Sequence, residues 1–215
     1  MRMYNFSDAD LIVKGKEKIS FMRRDMTAFV SFGITETMIA NLETALNTFA
    51  TSITDIEAHS TQMMATQAKN AKAEELKTAI LNVMKRVAFI YGTNTARYRQ
   101  FGTKALGRKT DSEVLITAKL VVRISNMHLQ ELFGSGITAA MILAITILCN
   151  DLEELIHEQN DKIWERNLLK ENRIADGNAI YTTLVKYTAI GYAVWASSNV
   201  AKCNDYVIYN RKVMN

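Results

Sequence analysis

The sequence predicts an all-α protein, and three observations lead to this prediction. None of the 215 residues is proline, so nothing in the chain removes the backbone hydrogen bonds of long helices. Only 8% of the residues are aromatic, whereas good helix formers such as Ala, Leu, Met, Lys and Glu are frequent. Apolar residues also recur at intervals of three and four, which is the spacing of one buried helical face.

An internal duplication is the second prediction. Residues 33–39 (GITETMI) reappear as residues 136–142 (GITAAMI), at an offset of 103. The same offset places Asp8 on Asp111. A repeat that extends along a whole chain indicates two copies of one supersecondary unit.

The duplication predicts two helical repeats, residues 1–107 and residues 108–215. Toward the end of each repeat a two-residue insertion changes the offset to 105, which places Arg97 on Lys202. Each repeat is long enough for three helices, and helices of about 30 residues would each be about 45 Å long. We therefore expect an elongated bundle of six helices, in which the two repeats either pack side by side or join end to end.

Each repeat is predicted to contain three helices in the same order. They are expected at residues 8–30, 35–67 and 73–97, and again at residues 111–133, 138–170 and 177–202. Ser7 and Thr110 precede the first helix of each repeat and are good N-cap residues. Gly33, and Gly134 with Gly136, would let the chain reverse before the second helix.

The composition disfavours several classes of function. The formal net charge is only +4, and the basic residues are spread along the chain instead of forming one stripe, so nucleic-acid binding is not expected. The two cysteines, Cys149 and Cys203, form no CxxC pair and predict buried thiols in a reducing compartment. The first residues lack the apolar run of a signal peptide, which predicts a protein that is not secreted by that route.

One uncharged segment leaves a membrane association open as an alternative. Residues 132–150 carry no charge for 19 positions, which approaches the length of a transmembrane helix. The corresponding segment of the first repeat contains Glu36 and Glu43, which favours a soluble helix there. We therefore expect the second copy to lie at the centre of the bundle or beneath a partner subunit.

A second alternative is a metal-binding, ferritin-like bundle. Glu154 and His157 form an E-x-x-H pair, which would place a carboxylate and an imidazole on one helical face. Such di-iron sites need two of these pairs and two further glutamates, yet the first repeat has Thr51 and Thr54 at the matching positions. The sequence thus predicts no metal, no cofactor, no small-molecule substrate and no catalytic residue.

Apolar residues near the middle and the end of the second repeat predict contacts with other proteins. The candidates lie on its second helix and in its aromatic tail, and they are Met141, Ile145, Leu148, Tyr206 and Tyr209. The tail would either fold back onto the bundle or dock on a neighbouring protein. The pair Met63 and Met64 lies in a nearly uncharged stretch, and we expect it to be exposed and shared with a partner.

Two segments carry a resemblance to known sequences. Residues 32–49 (FGITETMIANLETALNTF) and residues 202–209 (KCNDYVIY) resemble uncharacterised helical-bundle proteins of Bacteroidetes-type bacteria. Those proteins contain similar FGIT helices and K-Y-N-D-Y endings, although Cys203 stands here in place of the tyrosine. The resemblance implies a bacterium of that group, or a phage that infects one, as the source.

These observations together predict a non-enzymatic structural protein that acts through protein–protein contacts. A homo-oligomer or a large assembly is the expected state. The resemblance narrows the expectation to a phage virion component, such as a neck, cement or cargo protein, located in the virion or in the cytoplasm. This last step is an analogy and assigns no site residue.

Overall fold

The computed structural model describes residues 1–209, and every regular element in that part of the chain is helical, as predicted. The α-helices are α1 (Asp8–Arg24), α2 (Met26–Val30), α3 (Glu36–Thr51), α4 (Asp55–Tyr91), α5 (Ala96–Arg99), α6 (Asp111–Met127), α7 (Leu129–Leu132), α8 (Ala139–Trp195) and α9 (Val200–Asp205). Two 3-10 turns accompany them, at Leu106–Arg108 and at Phe133–Ser135.

The chain forms two compact units. Unit 1 comprises Met1–Asp55 together with the residues from Asn167 on, and unit 2 comprises Ile56–Arg166. Helix α8 is continuous and contributes to both units. The compact units do not follow the predicted sequence repeats, since the boundary predicted near Gly107 lies inside unit 2. The last six residues of the second repeat, 210–215, lie outside the described residues.

Both predicted helix caps are confirmed. The Ser7 hydroxyl accepts from the Asp10 backbone N–H at 3.0 Å, and the Asp10 carboxylate accepts from the Ser7 N–H. Thr110 forms the same reciprocal capping box with Glu113 at the start of α6. The predicted reversals are also present, because Gly33 and a second glycine 103 residues later have φ values of 77° and 79°.

The predicted helix ends are wrong at several places. The first predicted helix of each repeat is broken after Arg24 and after Met127 by a short second helix. The helix predicted for residues 35–67 stops at Thr51, where the Ser52 hydroxyl donates to the Phe49 carbonyl at 2.8 Å. A serine that bonds to the backbone in this way competes with the continuing helix.

Two predicted interruptions are absent from the structure. Helix α4 begins at Asp55 and runs unbroken through the connection predicted between residues 67 and 73. Helix α8 likewise runs through Gly177, which was predicted to begin a new helix. A Cβ atom at this glycine would lie 2.3 Å from the Tyr4 hydroxyl, so the glycine allows close packing instead of ending the helix.

Each unit has its own hydrophobic core. In unit 1, helices α1 and α3 pack against the C-terminal part of α8, and the core includes Leu11, Met22, Phe29, Ile39, Leu46, Phe49, Ile180 and Leu184. In unit 2, helix α6 and the N-terminal part of α8 pack against α4, and the core includes Leu76, Ile80, Val83, Val114, Val121, Ile142, Ile145 and Leu152. Each unit therefore combines helices from both predicted repeats.

Buried positions recur at the predicted offset of 103. The pairs of buried residues at this offset, with one member in each unit, include Leu11 and Val114, Phe29 and Leu132, Ile34 and Ile137, Ile39 and Ile142, Leu42 and Ile145, and Phe49 and Leu152. In the long third helices the buried pairs are instead 104 residues apart, and they include Leu76 and Ile180, Ile80 and Leu184, and Val83 and Tyr187.

Candidate interaction surface

The predicted contact residues of α8 lie mainly on its inward side. Ile145 is buried in the core of unit 2, with 1% of its surface exposed. Met141 and Leu148 are half-buried against the same core. The structure thus contradicts an intermolecular role for Ile145, because its side chain is already packed within the chain.

The outward side of the same segment is apolar as well. Leu143 is 59% exposed and Ile147 is 51% exposed, and the exposed Ala140 and Ala144 stand beside them. We call these four residues the outer row of α8. The exposure of the outer row follows from the position of the buried stripe. Ile145 points toward the core, and side chains two positions before or after it on the helix point away from the core. That relation could have been read from the sequence.

The aromatic tail lies against unit 1. Tyr206 is 2% exposed, and its ring packs against Phe29 with the centroids 5.6 Å apart. Tyr209 is 40% exposed, and its hydroxyl lies 2.8 Å from that of Tyr181. Of the two alternatives predicted for the tail, Tyr206 follows the first, since it folds back and packs within its own unit.

Asp25, between α1 and α2, holds this tail in place. Its carboxylate is 1% exposed and accepts from the Arg24 guanidinium at 2.8 Å and from the Lys202 ammonium at 2.7 Å. It also accepts from the Trp195 indole at 3.1 Å and the Tyr206 hydroxyl at 2.9 Å. One buried carboxylate therefore joins the α1–α2 junction, the end of α8 and α9.

The ionisation of Asp25 depends on these donors. Burial by itself would raise the pKa of the Asp25 carboxyl, but hydrogen bonds from Arg24, Lys202 and Tyr206 outweigh burial and hold the pKa well below its usual range. Burial and the bond to Asp25 raise the pKa of the Tyr206 hydroxyl. The carboxylate is thus charged and the phenol neutral at physiological pH.

Tyr206 also explains the glycine at position 191. A Cβ atom on Gly191 would lie 2.4 Å from the Tyr206 ring. We expect Gly191→Ala to lower the free energy of unfolding by about 1–2 kcal/mol, since overpacking outweighs the better helix propensity of alanine. Denaturant unfolding measures this, with Gly107→Ala as control because no atom lies within 4 Å of its added Cβ. Equal losses in both variants would contradict the packing role of Gly191.

A groove of about 520 Å³ lies between α3 and α8 in unit 1. Its apolar lining includes Leu42, Phe49 and Ile180. Its one carboxylate, Asp176, is exposed. The groove has the size of a small-molecule site, but its lining includes no buried charged group that would orient a ligand.

Further large apolar side chains are exposed on unit 2. Met63 is 48% exposed and Met64 is 67% exposed, which confirms the predicted exposure of this pair. Trp164 of α8 is 64% exposed. Exposed apolar groups of this size are unusual on a monomeric surface when they form a continuous patch.

The two residues of the alternative metal site are not joined by further ligands. Glu154 and His157 are exposed on α8. Within residues 1–209, no group of three or more His, Cys, Asp or Glu side chains is placed to hold a metal ion. The E-x-x-H spacing was the only reason to consider this pair, and within residues 1–209 no third ligand joins it.

The two cysteines are buried free thiols, as predicted. Burial, followed by the nearby charge of Glu153, raises the pKa of the Cys149 thiol. A thiol with a raised pKa is a poor nucleophile, because the thiolate is the reactive form. Cys149 therefore has the properties of a core residue.

The uncharged segment, residues 132–150, was the candidate for a membrane-spanning helix. Within the described part of the chain, no single helix is both long enough and apolar enough to cross a membrane. Leu129–Ser135 and α8 satisfy the two criteria only when taken together, and they are bent by 104° relative to each other.

Comparisons with known proteins add no further information. No protein-family model, curated protein or solved structure matches this chain. The function is therefore inferred from the chain's own surface, which includes the outer row of α8.

Proposed function

We propose that this protein is a non-enzymatic assembly component and that the outer row of α8 is its principal contact surface. One observation carries the proposal: Leu143 and Ile147 present large apolar side chains to solvent one helical turn apart. Ala140 and Ala144 beside them would let a partner approach closely. Apolar patches of this kind normally mark interaction sites.

The sequence resemblance supports a narrower version of the proposal. Phage virions use small helical proteins as neck, cement and cargo components, and the FGIT-type helix at residues 32–49 resembles proteins of bacteria that such phages infect. A virion protein would bind its partners in the cytoplasm during assembly and remain bound to them in the virion.

We also propose that the fold arose by duplication of a three-helix unit, with the third helices exchanged between the two copies. The recurrence of buried residues at offsets of 103 and 104 supports this proposal. Ion pairs recur as well. In unit 1, Arg173 donates to Asp8 at 2.8 Å, and in unit 2, Lys69 donates to Asp111. Asp8 and Asp111 are 103 residues apart, and Lys69 and Arg173 are 104 apart.

A second recurrence lies at the junction after the first helix. In unit 1 the Trp195 indole donates to Asp25, and in unit 2 the Tyr91 ring packs edge-on against His128. Tyr91 and Trp195 are 104 residues apart, and Asp25 and His128 are 103 residues apart. In both contacts a third helix from one predicted repeat meets a first helix from the other, which supports the exchange.

The contact surface is tested by removing its apolar area without adding charge. We expect Leu143→Ser/Ile147→Ser to raise the dissociation constant of the oligomer or complex at least about a hundredfold, because each buried side chain is worth about 1.5–3 kcal/mol. Analytical ultracentrifugation measures the constant. Val13→Ser/Ile116→Ser is the matched control, since these side chains are 67% and 68% exposed and lie on other helices. An unchanged constant in the first variant would contradict the assignment of the surface.

A further inference from the structure

The outer row continues into a row of carboxylates. Glu154, Glu158 and Asp161 are all exposed on α8 in unit 2. At 100° per residue, these three positions and those of Leu143 and Ile147 fall within about 60° of one another around the helix. One side of α8 therefore carries apolar residues near the N-terminus of the helix and acidic residues farther from it.

The carboxylates of this row are not neutralised by direct ion pairs. None of the three forms a salt bridge with another described residue, and Lys162, which is close enough to be attracted by Glu158 and Asp161, pairs with Glu165 at 2.9 Å. That bond, followed by the attraction of Glu165 and then of Glu158 and Asp161, raises the pKa of Lys162. Residues 151–166 contain six Asp or Glu residues and two Lys or Arg residues, although the whole chain carries a net charge of +4. Of the six, Asp151 and Glu153 are paired with Lys72 and Lys119 of other helices.

A second copy of this chain would not neutralise the acidic row. Two copies of α8 packed in parallel along this side would place their acidic rows against each other, which is unfavourable. An antiparallel pair centred on Leu143 and Ile147 would join the apolar side chains but bring no cation to either acidic row, since residues 128–150 contain no Lys or Arg.

We propose that this side of α8 docks an amphipathic helix of another protein that carries large apolar residues followed by Lys or Arg. The centre of the acidic row lies about 13 residues from the centre of the apolar pair, which is about 20 Å along the helix. The partner helix has its basic residues at the same distance from its apolar anchors. This inference rests on the proposed function and adds the chemistry of the partner.

Designed peptides of 22 residues provide the test. One peptide is an Ala-rich helix with Leu at positions 1 and 5 and Lys at positions 12, 16 and 19, and the second has Glu in place of Lys. Both are also made in the reverse order, because a partner can dock in either direction. Fluorescence anisotropy measures their binding to the full-length chain at low salt.

We expect the Lys peptide to bind at least about tenfold more tightly than the Glu peptide, since three exposed ion pairs together are worth about 1.5 kcal/mol. Glu154→Gln/Glu158→Gln/Asp161→Asn removes this preference. Glu171→Gln/Asp176→Asn, which neutralises two exposed carboxylates of α8 in unit 1, leaves it unchanged.

Three results overturn the inference. Equal binding of both peptides that depends on Leu143 and Ile147 refutes the basic partner and leaves the proposed contact surface intact. Binding of the Lys peptide that is insensitive to Leu143→Ser/Ile147→Ser shows attraction by charge alone and refutes the combined apolar and basic partner. Failure of the Lys peptide to bind in either direction also refutes it, whereas the assembly function is tested separately by the mass of the protein in solution.

Discussion

Replacing Asp25 by alanine is expected to lower the free energy of unfolding by about 3 kcal/mol. The substitution removes the acceptor shared by Arg24, Lys202, Trp195 and Tyr206. Breaking a buried ion pair costs about 3–5 kcal/mol, and the lower end applies because the Arg24 and Lys202 side chains, 41% and 32% exposed, regain water. Urea unfolding followed by tryptophan fluorescence measures the loss, since Trp195 reports on this site.

The pH dependence of stability gives an independent check on Asp25. Its pKa is lower in the folded state than in the unfolded state, where it is about 3.9. Its contribution is therefore complete above about pH 4 and is lost as the pH falls through the lower folded value. Asp25→Asn keeps the shape and removes the charge, so its unfolding free energy is expected to fall less steeply than that of the wild type in acid. Parallel pH profiles for the two proteins would contradict the role of the charged carboxylate.

Cutting the chain between the predicted repeats is expected to abolish independent folding of the first half. Residues 1–107 contain α1 and α3 but lack Ile180, Leu184 and Tyr187, which complete the core of unit 1. Burial of three such side chains is worth about 1.5–3 kcal/mol each, which is comparable to the whole stability of a small domain. Residues 56–166 contain the whole of unit 2 and are expected to fold alone.

Circular dichroism with thermal unfolding distinguishes these fragments. We expect a cooperative transition for residues 56–166 and none for residues 1–107. An equimolar mixture of residues 1–107 and 108–215 is expected to regain cooperativity, since each half supplies the third helix of the other unit. Cooperative, monomeric folding of residues 1–107 would show that each repeat can close on its own third helix and would contradict the proposed exchange.

Helix starts were predictable from the sequence because their signals are local. Ser7 and Thr110 each cap the backbone three residues ahead, so their role needs no knowledge of the rest of the fold. Helix ends and interruptions were predicted less well. Gly177 was predicted to begin a helix. Its lack of a side chain instead leaves room for Tyr4, which lies 173 positions away in the chain and cannot be identified as a neighbour from the local sequence.

The pairing of helices was not predictable from apolar spacing. That spacing showed that Ile80 and Leu184 face a core, and both are buried. It did not show that each lies in the core formed by the first helices of the other repeat. Periodicity identifies the buried face of a helix but not its partner, and two similar repeats present similar faces to either third helix.

Two of the predicted contact residues are buried within the chain. The spacing of Ile145 to Ile142 and Cys149 already marks it as part of the buried stripe. Tyr206 was predicted either to fold back onto the bundle or to contact a neighbour, and its hydroxyl donates to Asp25. The sequence could not indicate that contact, because the two residues are far apart in the chain.

The mass of the wild-type chain in solution tests the proposed assembly function most directly. Light scattering after size-exclusion chromatography, over a concentration series, measures it against the 24.2 kDa of one chain. We expect a defined oligomer or a stable complex with a co-purifying protein. A mass of one chain at every concentration, with no protein bound, would contradict it.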